Sequence, residues 1–198
     1  MYESYFKRII DVLVAAGLLL VLLIPLLVVA ACIKIDSDGP LFFRQTRLGK
    51  NLKTFDVYKF RTMTHEQRSV ENIIGKTVGV TGVGYYLRKF KIDELPQLLN
   101  VLFGQMSLVG PRPSVPEQLS KMSAEETKRY DVCPGLTGLA QVSGNIHLSW
   151  TERYVLDLLY VRNITFYNDM LILCRTALLV VKGEEKFVNK TLKIKQLK

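Results

Sequence analysis

The sequence is poor in the residues that build disulfide frameworks and zinc sites. Its 198 residues include three cysteines and two histidines. Cys32, Cys133 and Cys174 are far apart and odd in number, which argues against a disulfide framework and fits a reducing compartment. His65 and His147 each stand alone, so no cysteine–histidine cluster has the spacing of a zinc site. The sequence therefore argues against a disulfide-stapled secreted scaffold and against a zinc enzyme.

Acidic residues are also in the minority. The chain has 18 Asp and Glu against 27 Lys and Arg, a formal net charge of +9. Such a balance predicts an anionic partner, which would be lipid headgroups, phosphorylated substrates or nucleic acid. The length suits one modest domain plus a membrane segment.

Charge is absent altogether from residues 12–33. This apolar run is about the ~20 residues that cross a bilayer as a helix. Pro25 in its middle has no N–H and crowds the carbonyl of Val21, which predicts a kink. A kinked spanning helix and a re-entrant hairpin both fit the run. Basic residues, which mark the cytoplasmic side, flank both of its ends and favour the hairpin: Lys7, Arg8, Lys34, Arg44 and Arg47.

Residues 41–63 alternate as two β-strands joined around residues 49–51. In the second strand, Lys59 and Arg61 share one face. There they could reach an anionic substrate. A solvated basic strand face is an equally good interpretation of the sequence.

The most informative stretch is residues 88–113. Asp93 and Glu94 stand just before Pro96, and proline is tolerated in a helix only in its first turn. The acidic pair is therefore predicted at or near a helix start, and Gly104 fits the helix stop. The leucines that follow the pair share one face of that helix: Leu95, Leu98, Leu99 and Leu102.

This placement suggests chemistry on a phosphate. A helix start favours anions, so we expect it to keep Asp93 ionised and to hold a phosphate nearby. An ionised carboxylate can attack phosphorus, and the neighbouring Glu94 can hold a divalent metal. The alternative is that both acids only cap the helix. Further positive charge lies close in sequence at Arg88, Lys89, Lys91 and Arg112.

The full string around the acidic pair resembles the bacterial sugar transferases, also called monotopic phosphoglycosyl transferases. The resemblance runs nearly from end to end of the chain. Its most specific segments are Asp93-Glu94-Leu95-Pro96-Gln97-Leu98, Leu108-Val109-Gly110-Pro111-Arg112-Pro113 and Pro134-Gly135-Leu136-Thr137-Gly138-Leu139-Ala140-Gln141. Members of the family break their membrane helix at a Ser-Pro pair, where this chain has Ile24-Pro25.

The resemblance implies transfer of a sugar 1-phosphate from a UDP-sugar to polyprenol (undecaprenyl) phosphate with release of UMP, as the first step of surface glycan or glycoprotein glycan assembly. Asp93 would form a covalent aspartyl-phosphosugar intermediate, and Glu94 would be both catalytic and the ligand of Mg²⁺. Gln141 could instead belong to a structural turn, and Asp157 to a solvated helix face. The implied substrate-binding residues are Lys59, Arg88, Arg112, Gln141 and Asp157.

The expected fold is α/β, mainly helical with a small β-hairpin. It has a re-entrant, Pro-kinked membrane helix over residues 1–36, one catalytic domain with interfacial amphipathic helices over 37–185 and a basic tail over 186–198. The expected place is the cytoplasmic face of the bacterial inner membrane, with membrane lipid and no nucleic acid as partner. The alternative function is a non-catalytic membrane-anchored basic module that binds anionic lipid or nucleic acid.

Two further helices are predicted near the C-terminus. Ser149 and Glu152 form a capping-box pattern at the start of the first. Asn168 or Asp169 is expected to start the second, with Asp169 as a cap rather than a catalyst. Residues 65–76 are polar and predict a short helix or loop.

Overall fold

A computed structural model describes residues 2–64 and 79–182. In these ranges the chain is mainly helical with two small sheets, which confirms the expected mixed fold and adds a second sheet to it. The expected helix or loop over residues 65–76 and the basic tail over 186–198 lie outside the described residues.

The described elements alternate along the chain without forming a central sheet. The helices are α1 (Lys7–Val21), α2 (Leu23–Asp36), α3 (Gly82–Lys89), α4 (Gln97–Leu102), α5 (Leu139–Val142), α6 (Trp150–Arg162) and α7 (Phe166–Lys182). The strands are β1 (Phe42–Leu48), β2 (Thr54–Phe60), β3 (Ser107–Val109) and β4 (Gly135–Thr137). A π-helix covers Tyr2–Phe6, and 3-10 helices cover Lys50–Leu52, Ile92–Glu94, Pro116–Lys121, Glu126–Tyr130 and Asn145–His147.

The apolar N-terminal run forms α1 and α2, which meet at an angle of 63°. The break lies at Leu22, directly after α1 ends at Val21. Pro25 is the third residue of α2, and its ring crowds the Val21 carbonyl, so the predicted kink is confirmed. Among the described helices none is long and apolar enough to cross a membrane alone, whereas this bent pair passes that test of length and composition together.

The predicted hairpin is confirmed. β1 and β2 pair antiparallel from Phe42 opposite Phe60 to Leu48 opposite Thr54. The expected role of Arg61 is wrong, because β2 ends at Phe60 and strand alternation no longer places Arg61 beside Lys59. Arg61 is 2% exposed and donates to the carbonyls of Ser37 and Asp38, so it holds the chain that leaves α2.

The second sheet pairs β3 and β4 in parallel, with Ser107 opposite Gly135 and Val109 opposite Thr137. The two backbones come so close that a Cβ on Gly138 would lie 2.1 Å from the Gly110 oxygen. Glycine is therefore required at this crossing. Arg112 lies in the loop after β3, and Gln141 lies in α5, which follows β4. The pairing of β3 with β4 therefore brings Arg112 close to Gln141.

The helix after the acidic pair is α4, and the predicted leucine face packs largely as expected. Leu98 is fully buried, and Leu95 and Leu102 pack against the same core. Gly104 has φ +79° and ends the helix, as predicted. The side chain of Asn100 is buried in α4 and bonds the backbone of β2 twice, through the Tyr58 N–H and the Asp56 carbonyl. Because β2 carries Lys59 and α4 directly follows the acidic pair, these two hydrogen bonds hold Asp93 and Glu94 close to that lysine.

The C-terminal helices differ in part from the prediction. The capping box of Ser149 and Glu152 is confirmed at the start of α6. The start of α7 at Asn168 or Asp169 is wrong, because α7 begins at Phe166 and the Thr165 hydroxyl accepts from the Asn168 N–H. Asp169 is therefore not a cap, and its side chain is buried and accepts from Tyr2 and Lys7 at the other end of the chain and from Tyr160 in α6.

Candidate active site

Asp93 and Glu94 lie in the 3-10 turn Ile92–Glu94, three residues before α4 begins at Gln97. The placement near a helix start is therefore confirmed. The turn is set by Lys91, which adopts the left-handed conformation with φ 57° and directs the chain out of α3. The two acids consequently project from a connection between two helices.

Asp93 is half-buried, and its environment opposes ionisation. Burial raises the pKa of Asp93 above its usual value, and the Glu94 charge raises it further. The nearby charges of Lys59 and Arg88 lower the pKa but do not cancel the rise. Burial thus works against the ionisation that we expect of Asp93, and its ionised state stays a prediction.

Glu94 has the opposite electrostatics. Its Oε1 accepts from Lys59 Nζ at 2.6 Å and from Arg112 Nη2 at 2.8 Å. Burial alone would raise the pKa of Glu94, but the charges and hydrogen bonds of Arg112 and Lys59 outweigh it and hold the pKa well below its usual range. Neighbouring carboxylates thus have pKa values pushed apart, which is the pattern expected where two acids play different roles.

Arg88 lies at the end of α3 beside this pair. Its Nε donates to the Thr62 hydroxyl at 2.9 Å, and its charge lowers the pKa of Asp93. The side chain is otherwise exposed. The structure thus brings Asp93, Glu94, Lys59, Arg88 and Arg112 together from three separate parts of the chain.

An apolar cavity of about 240 Å³ opens beside Glu94 and Arg112. Its walls are aliphatic side chains of the bent N-terminal helix and of the last helix, chiefly Val14 and Leu18 of α1 and Leu173, Leu179 and Val180 of α7. A space of this kind suits a hydrocarbon chain with a charged group at the end that faces Arg112.

A second, smaller cavity of about 100 Å³ is also lined by Arg112 and is rich in cationic and aromatic side chains. Its lining includes Arg47, Arg112, Arg129, Arg153, Gln141, Trp150, Tyr154 and Asp157. Arg112, Gln141 and Asn145 line both cavities. The two spaces therefore share one polar wall.

Asp157 is buried, so the solvated-face interpretation of this residue is wrong. Its Oδ2 pairs with Arg129 Nη2 at 2.7 Å, and Arg129 also donates to the Arg112 carbonyl at 2.7 Å. Burial raises the pKa of Asp157 to about 6, against the opposing charge of Arg129. Asp157 thus fixes the loop that presents Arg112, and direct contact with substrate stays a prediction.

Sequence reasoning missed Arg47, Arg129 and Arg153 as residues of this cavity. They come from β1, a 3-10 helix and α6, and no local motif connects them. Only the fold brings them together, so the sequence offers no signal beyond the overall positive charge.

The donor set fits a magnesium ion that is shared with a substrate. Within residues 2–64 and 79–182 no group of three or more His, Cys, Asp or Glu side chains could hold a metal. Mg²⁺ commonly takes only one or two carboxylates and completes its shell with substrate phosphates and water. Asp93 and Glu94 supply such carboxylates, and both cations on Glu94 bind the same oxygen, Oε1.

Comparison with known proteins places these features in a family. The profile of the bacterial sugar transferase family matches residues 2–183. An uncharacterized sugar transferase, EpsL, from Bacillus subtilis is 42% identical over 178 residues, which cover 90% of this chain and 88% of that protein.

Two other relatives are named for their reactions. A UDP-glucose:undecaprenyl-phosphate glucose-1-phosphate transferase from Klebsiella pneumoniae is 42% identical over 94% of this chain. An undecaprenyl-phosphate galactose phosphotransferase from Salmonella typhimurium is 34% identical over 92% of it. The chain spans 41% and 42% of the length of these two proteins. The match thus covers nearly all of this chain and only part of theirs.

Proposed function

The chain belongs to the bacterial sugar transferase family, and we propose that it transfers a sugar 1-phosphate from a UDP-sugar to polyprenol (undecaprenyl) phosphate with release of UMP. The relatives from Klebsiella and Salmonella are named for transfers of this kind. The product would begin assembly of a surface glycan or a glycoprotein glycan.

One observation carries the proposal: the Glu94–Arg112 pair lies where an apolar cavity and a cationic cavity share a wall. A reaction between a lipid phosphate and a soluble diphosphate needs this arrangement, because one substrate brings hydrocarbon and the other brings charge. The apolar cavity suits the first part of a polyprenyl chain. The cationic cavity suits the nucleotide end of the donor.

Asp93 is the proposed nucleophile. One of its oxygens attacks the phosphorus that carries the sugar, the bond from that phosphorus to the bridging oxygen breaks, and UMP leaves with the electron pair. A phosphate oxygen of the polyprenol phosphate then attacks the same phosphorus and displaces the Asp93 carboxylate. Two easier transfers replace one difficult transfer. Lys59, Arg88 and Arg112 orient the phosphates and stabilise their charge, Arg112 through its guanidinium fork.

Glu94 is the residue proposed to hold Mg²⁺. When bound, the ion would neutralise charge on the diphosphate. The low pKa of Glu94 keeps it an anion throughout the working pH range. Glu94→Gln is expected to raise the Mg²⁺ concentration needed for half-maximal turnover, measured as UMP release across a Mg²⁺ titration. Normal turnover with an unchanged Mg²⁺ requirement would contradict this role.

We also propose that the bent pair of α1 and α2 enters and leaves the cytoplasmic face of the bacterial inner membrane, with residues 37–185 as the catalytic domain and 186–198 as a basic tail. Both ends of the bent helix pair are bound to the same domain. Lys7 pairs with Asp169 at 2.6 Å, and Arg8 donates to the Leu102 carbonyl at the end of α4. At the other end Arg61 binds Ser37 and Asp38. Ends held by one domain belong on one side of a membrane.

The topology is testable with single cysteines in a background where Cys32, Cys133 and Cys174 are changed to serine. Glu3→Cys and Asp38→Cys place one thiol at each exposed end of the pair. An impermeant maleimide added to intact cells is expected to label neither variant, and to label both after the cells are opened. Labelling of one end alone in intact cells would identify a spanning helix.

The reaction is tested with the full chain in lipid nanodiscs, Mg²⁺, polyprenol phosphate and a panel of UDP-sugars. Release of UMP with one of the sugars is the expected result and identifies the donor. Release of UDP instead would mean that the sugar carbon, not phosphorus, is attacked. Nucleotide release from none of the donors would contradict the proposed reaction for the panel used.

A further inference from the structure

We propose that Arg129 is a positioning residue for the transfer: it holds the backbone of Arg112 so that the Arg112 guanidinium stays on Glu94, and Asp157 holds Arg129 in turn. This inference rests on the proposed function, in which Arg112 orients the phosphates. Arg129 and Asp157 then act on the reaction through Arg112 rather than through contact with a substrate. The experiments separate the two ideas, so that either can fail alone.

Arg129 binds the loop that carries Arg112 at two points. It lies in the 3-10 helix Glu126–Tyr130 and is 3% exposed. Its Nη2 donates to the Arg112 carbonyl at 2.7 Å, and its Nη1 donates to the Ser114 hydroxyl. One planar guanidinium thus holds the loop on both sides of Pro113, a task for which a single point charge is less suited.

The orientation of Arg129 is itself fixed by its surroundings. Asp157 of α6 is 2% exposed, and its Oδ2 pairs with Arg129 Nη2 at 2.7 Å. The guanidinium carbon lies 5.2 Å from the ring centres of both Tyr130 and Tyr154, which is within the range of cation–π attraction. A guanidinium with these contacts has little freedom to rotate.

Stability alone does not account for the ion pair between Arg129 and Asp157. Taking two charges out of water costs free energy, and apolar side chains of similar size often stabilise a protein as well or better. The best attested use of a buried ion pair is to fix one arrangement of the chain. The arrangement that Arg129 fixes is that of the loop at Arg112.

The side chain of Arg112 needs such a hold. It is 44% exposed, and its Nη2 donates to Glu94 Oε1 at 2.8 Å. An ion pair with this exposure is weak by itself, because water screens it. Pro111 and Pro113 restrict the backbone on either side, so a shift of the Arg112 carbonyl moves the whole segment. A displacement of about 1 Å in a group that orients a substrate is enough to slow a reaction by about a hundredfold.

The first test removes the ion pair without leaving a buried charge unpaired. Arg129→Met/Asp157→Leu replaces both partners with apolar side chains, so the melting temperature should fall by no more than about 5 °C. The rate of UMP release should fall by about tenfold to a hundredfold, as expected for a displaced Arg112. Glu125→Gln/Lys128→Met removes an exposed ion pair at the same 3-10 helix and should change neither quantity.

The second test asks whether Arg129 acts through Arg112. Arg112→Met alone should slow UMP release by about a hundredfold, because it removes a charged hydrogen-bond donor from the phosphates. In the Arg112→Met background, Arg129→Met/Asp157→Leu should slow the rate by less than about twofold more, since the side chain that it positions is gone. Direct contact with a substrate, or a merely structural role, would make the two losses multiply.

Arg129→Lys repeats this comparison with the buried charge retained. The lysine still pairs with Asp157, but its ammonium lacks the fork that binds Arg112 and Ser114 together. The rate of UMP release should fall by about tenfold in the native background and by less than about twofold in Arg112→Met. This variant decides the matter if Arg129→Met/Asp157→Leu does not fold.

A chemical probe reports on the Arg112 side chain without any turnover. Phenylglyoxal modifies accessible guanidinium groups, and mass spectrometry of the peptides gives its rate at each arginine of the full chain in lipid nanodiscs. In Arg129→Met/Asp157→Leu, loss of the Glu94 partner should raise the rate at Arg112 by about fivefold, the value of an exposed ion pair. Arg44, an exposed arginine of β1, is the internal reference and should not change.

The positioning role is overturned by full UMP release in the Arg129 variants, by losses that multiply with that of Arg112→Met, or by an unchanged phenylglyoxal rate at Arg112. If the unaltered chain releases UMP in any of these cases, the proposed reaction stands and only the role of Arg129 is wrong. If the unaltered chain releases no UMP from any donor but Arg112 becomes more reactive as expected, the positioning role stands and the proposed reaction is wrong.

Discussion

Asp93 and Asp169 are the same residue type in opposite situations. Asp169 is 2% exposed and accepts from Tyr2 Oη at 2.7 Å, Lys7 Nζ at 2.6 Å and Tyr160 Oη at 2.8 Å. Asp93 is half-buried, and burial together with the Glu94 charge raises its pKa. A carboxylate whose two oxygens both accept hydrogen bonds from the protein serves the fold, whereas the environment of Asp93 does not stabilise its charge in this way.

The two sites also differ in what surrounds the charge. Burial and the Asp169 carboxylate raise the pKa of Tyr160, which therefore stays a donor at every working pH. Burial raises the pKa of Asp93, with Glu94 adding to the effect. A raised carboxyl pKa means that ionisation of Asp93 costs stability above its titration range. The folded state thus disfavours the charge of Asp93, whereas hydrogen bonds and an ion pair stabilise Asp169.

The largest expected effect is that of Asp93→Asn. Loss of the nucleophile should lower the rate of UMP release by at least about a thousandfold. The melting temperature should stay the same or rise, since the variant removes a charge that the folded state disfavours. Asp131→Asn, an exposed matched change, should alter neither quantity. Substantial UMP release by Asp93→Asn would contradict the nucleophilic role of Asp93.

Asp169→Asn should show the reverse pattern. Removing one partner of a buried pair leaves Lys7 without its counter-charge and costs about 3–5 kcal/mol. The melting temperature of the full chain, followed by circular dichroism, should fall by about 10 °C. Protein that remains folded should keep its rate of UMP release. A catalytic loss without a loss of stability would mean that Asp169 acts in the chemistry.

Lys59→Met sharpens the electrostatic side of the comparison. The acid limb of the pH–rate profile reports deprotonation of Asp93, so activity falls as the pH drops through its pKa. Lys59 lowers this pKa directly and also neutralises Glu94, so its removal should shift the limb to higher pH. Lys53→Met, an exposed change on the same hairpin, should leave the limb in place. A shift to lower pH would contradict the assignment of the limb to Asp93.

The smallest expected effect is that of Tyr160→Phe. It removes a hydroxyl that is one of the three donors to Asp169 and also lies 3.1 Å from the Val109 carbonyl oxygen. A loss of about 1 kcal/mol should lower the melting temperature by about 2–4 °C. Tyr167→Phe, on an exposed ring in the next helix, is the control. A fall as large as that of Asp169→Asn would mean that Tyr160, rather than Lys7, carries the stability of this cluster.

Local signals predicted much of this structure from the sequence. Strand alternation predicted the hairpin, Pro25 predicted the kink, and Pro96 with Gly104 predicted the limits of the acidic turn and α4. Each of these signals acts within a few residues along the chain.

Long-range contacts could not be predicted. Lys7 and Asp169 are 162 residues apart, so Asp169 was interpreted as a local cap. The parallel pairing of β3 and β4 and the meeting of Arg47 with Arg112 also depend on the folded chain alone. The raised pKa of Asp93 was missed for the same reason, because burial is a property of the fold rather than of a motif.

The most direct test of a nucleophilic Asp93 is a rapid-quench measurement of UMP with the correct UDP-sugar and Mg²⁺ but without polyprenol phosphate. The account predicts a burst of UMP equal to the amount of active protein, and no burst with Asp93→Asn. Addition of polyprenol phosphate should then restart turnover. If UMP appears only when the lipid acceptor is present, the transfer is direct and the aspartyl intermediate is wrong.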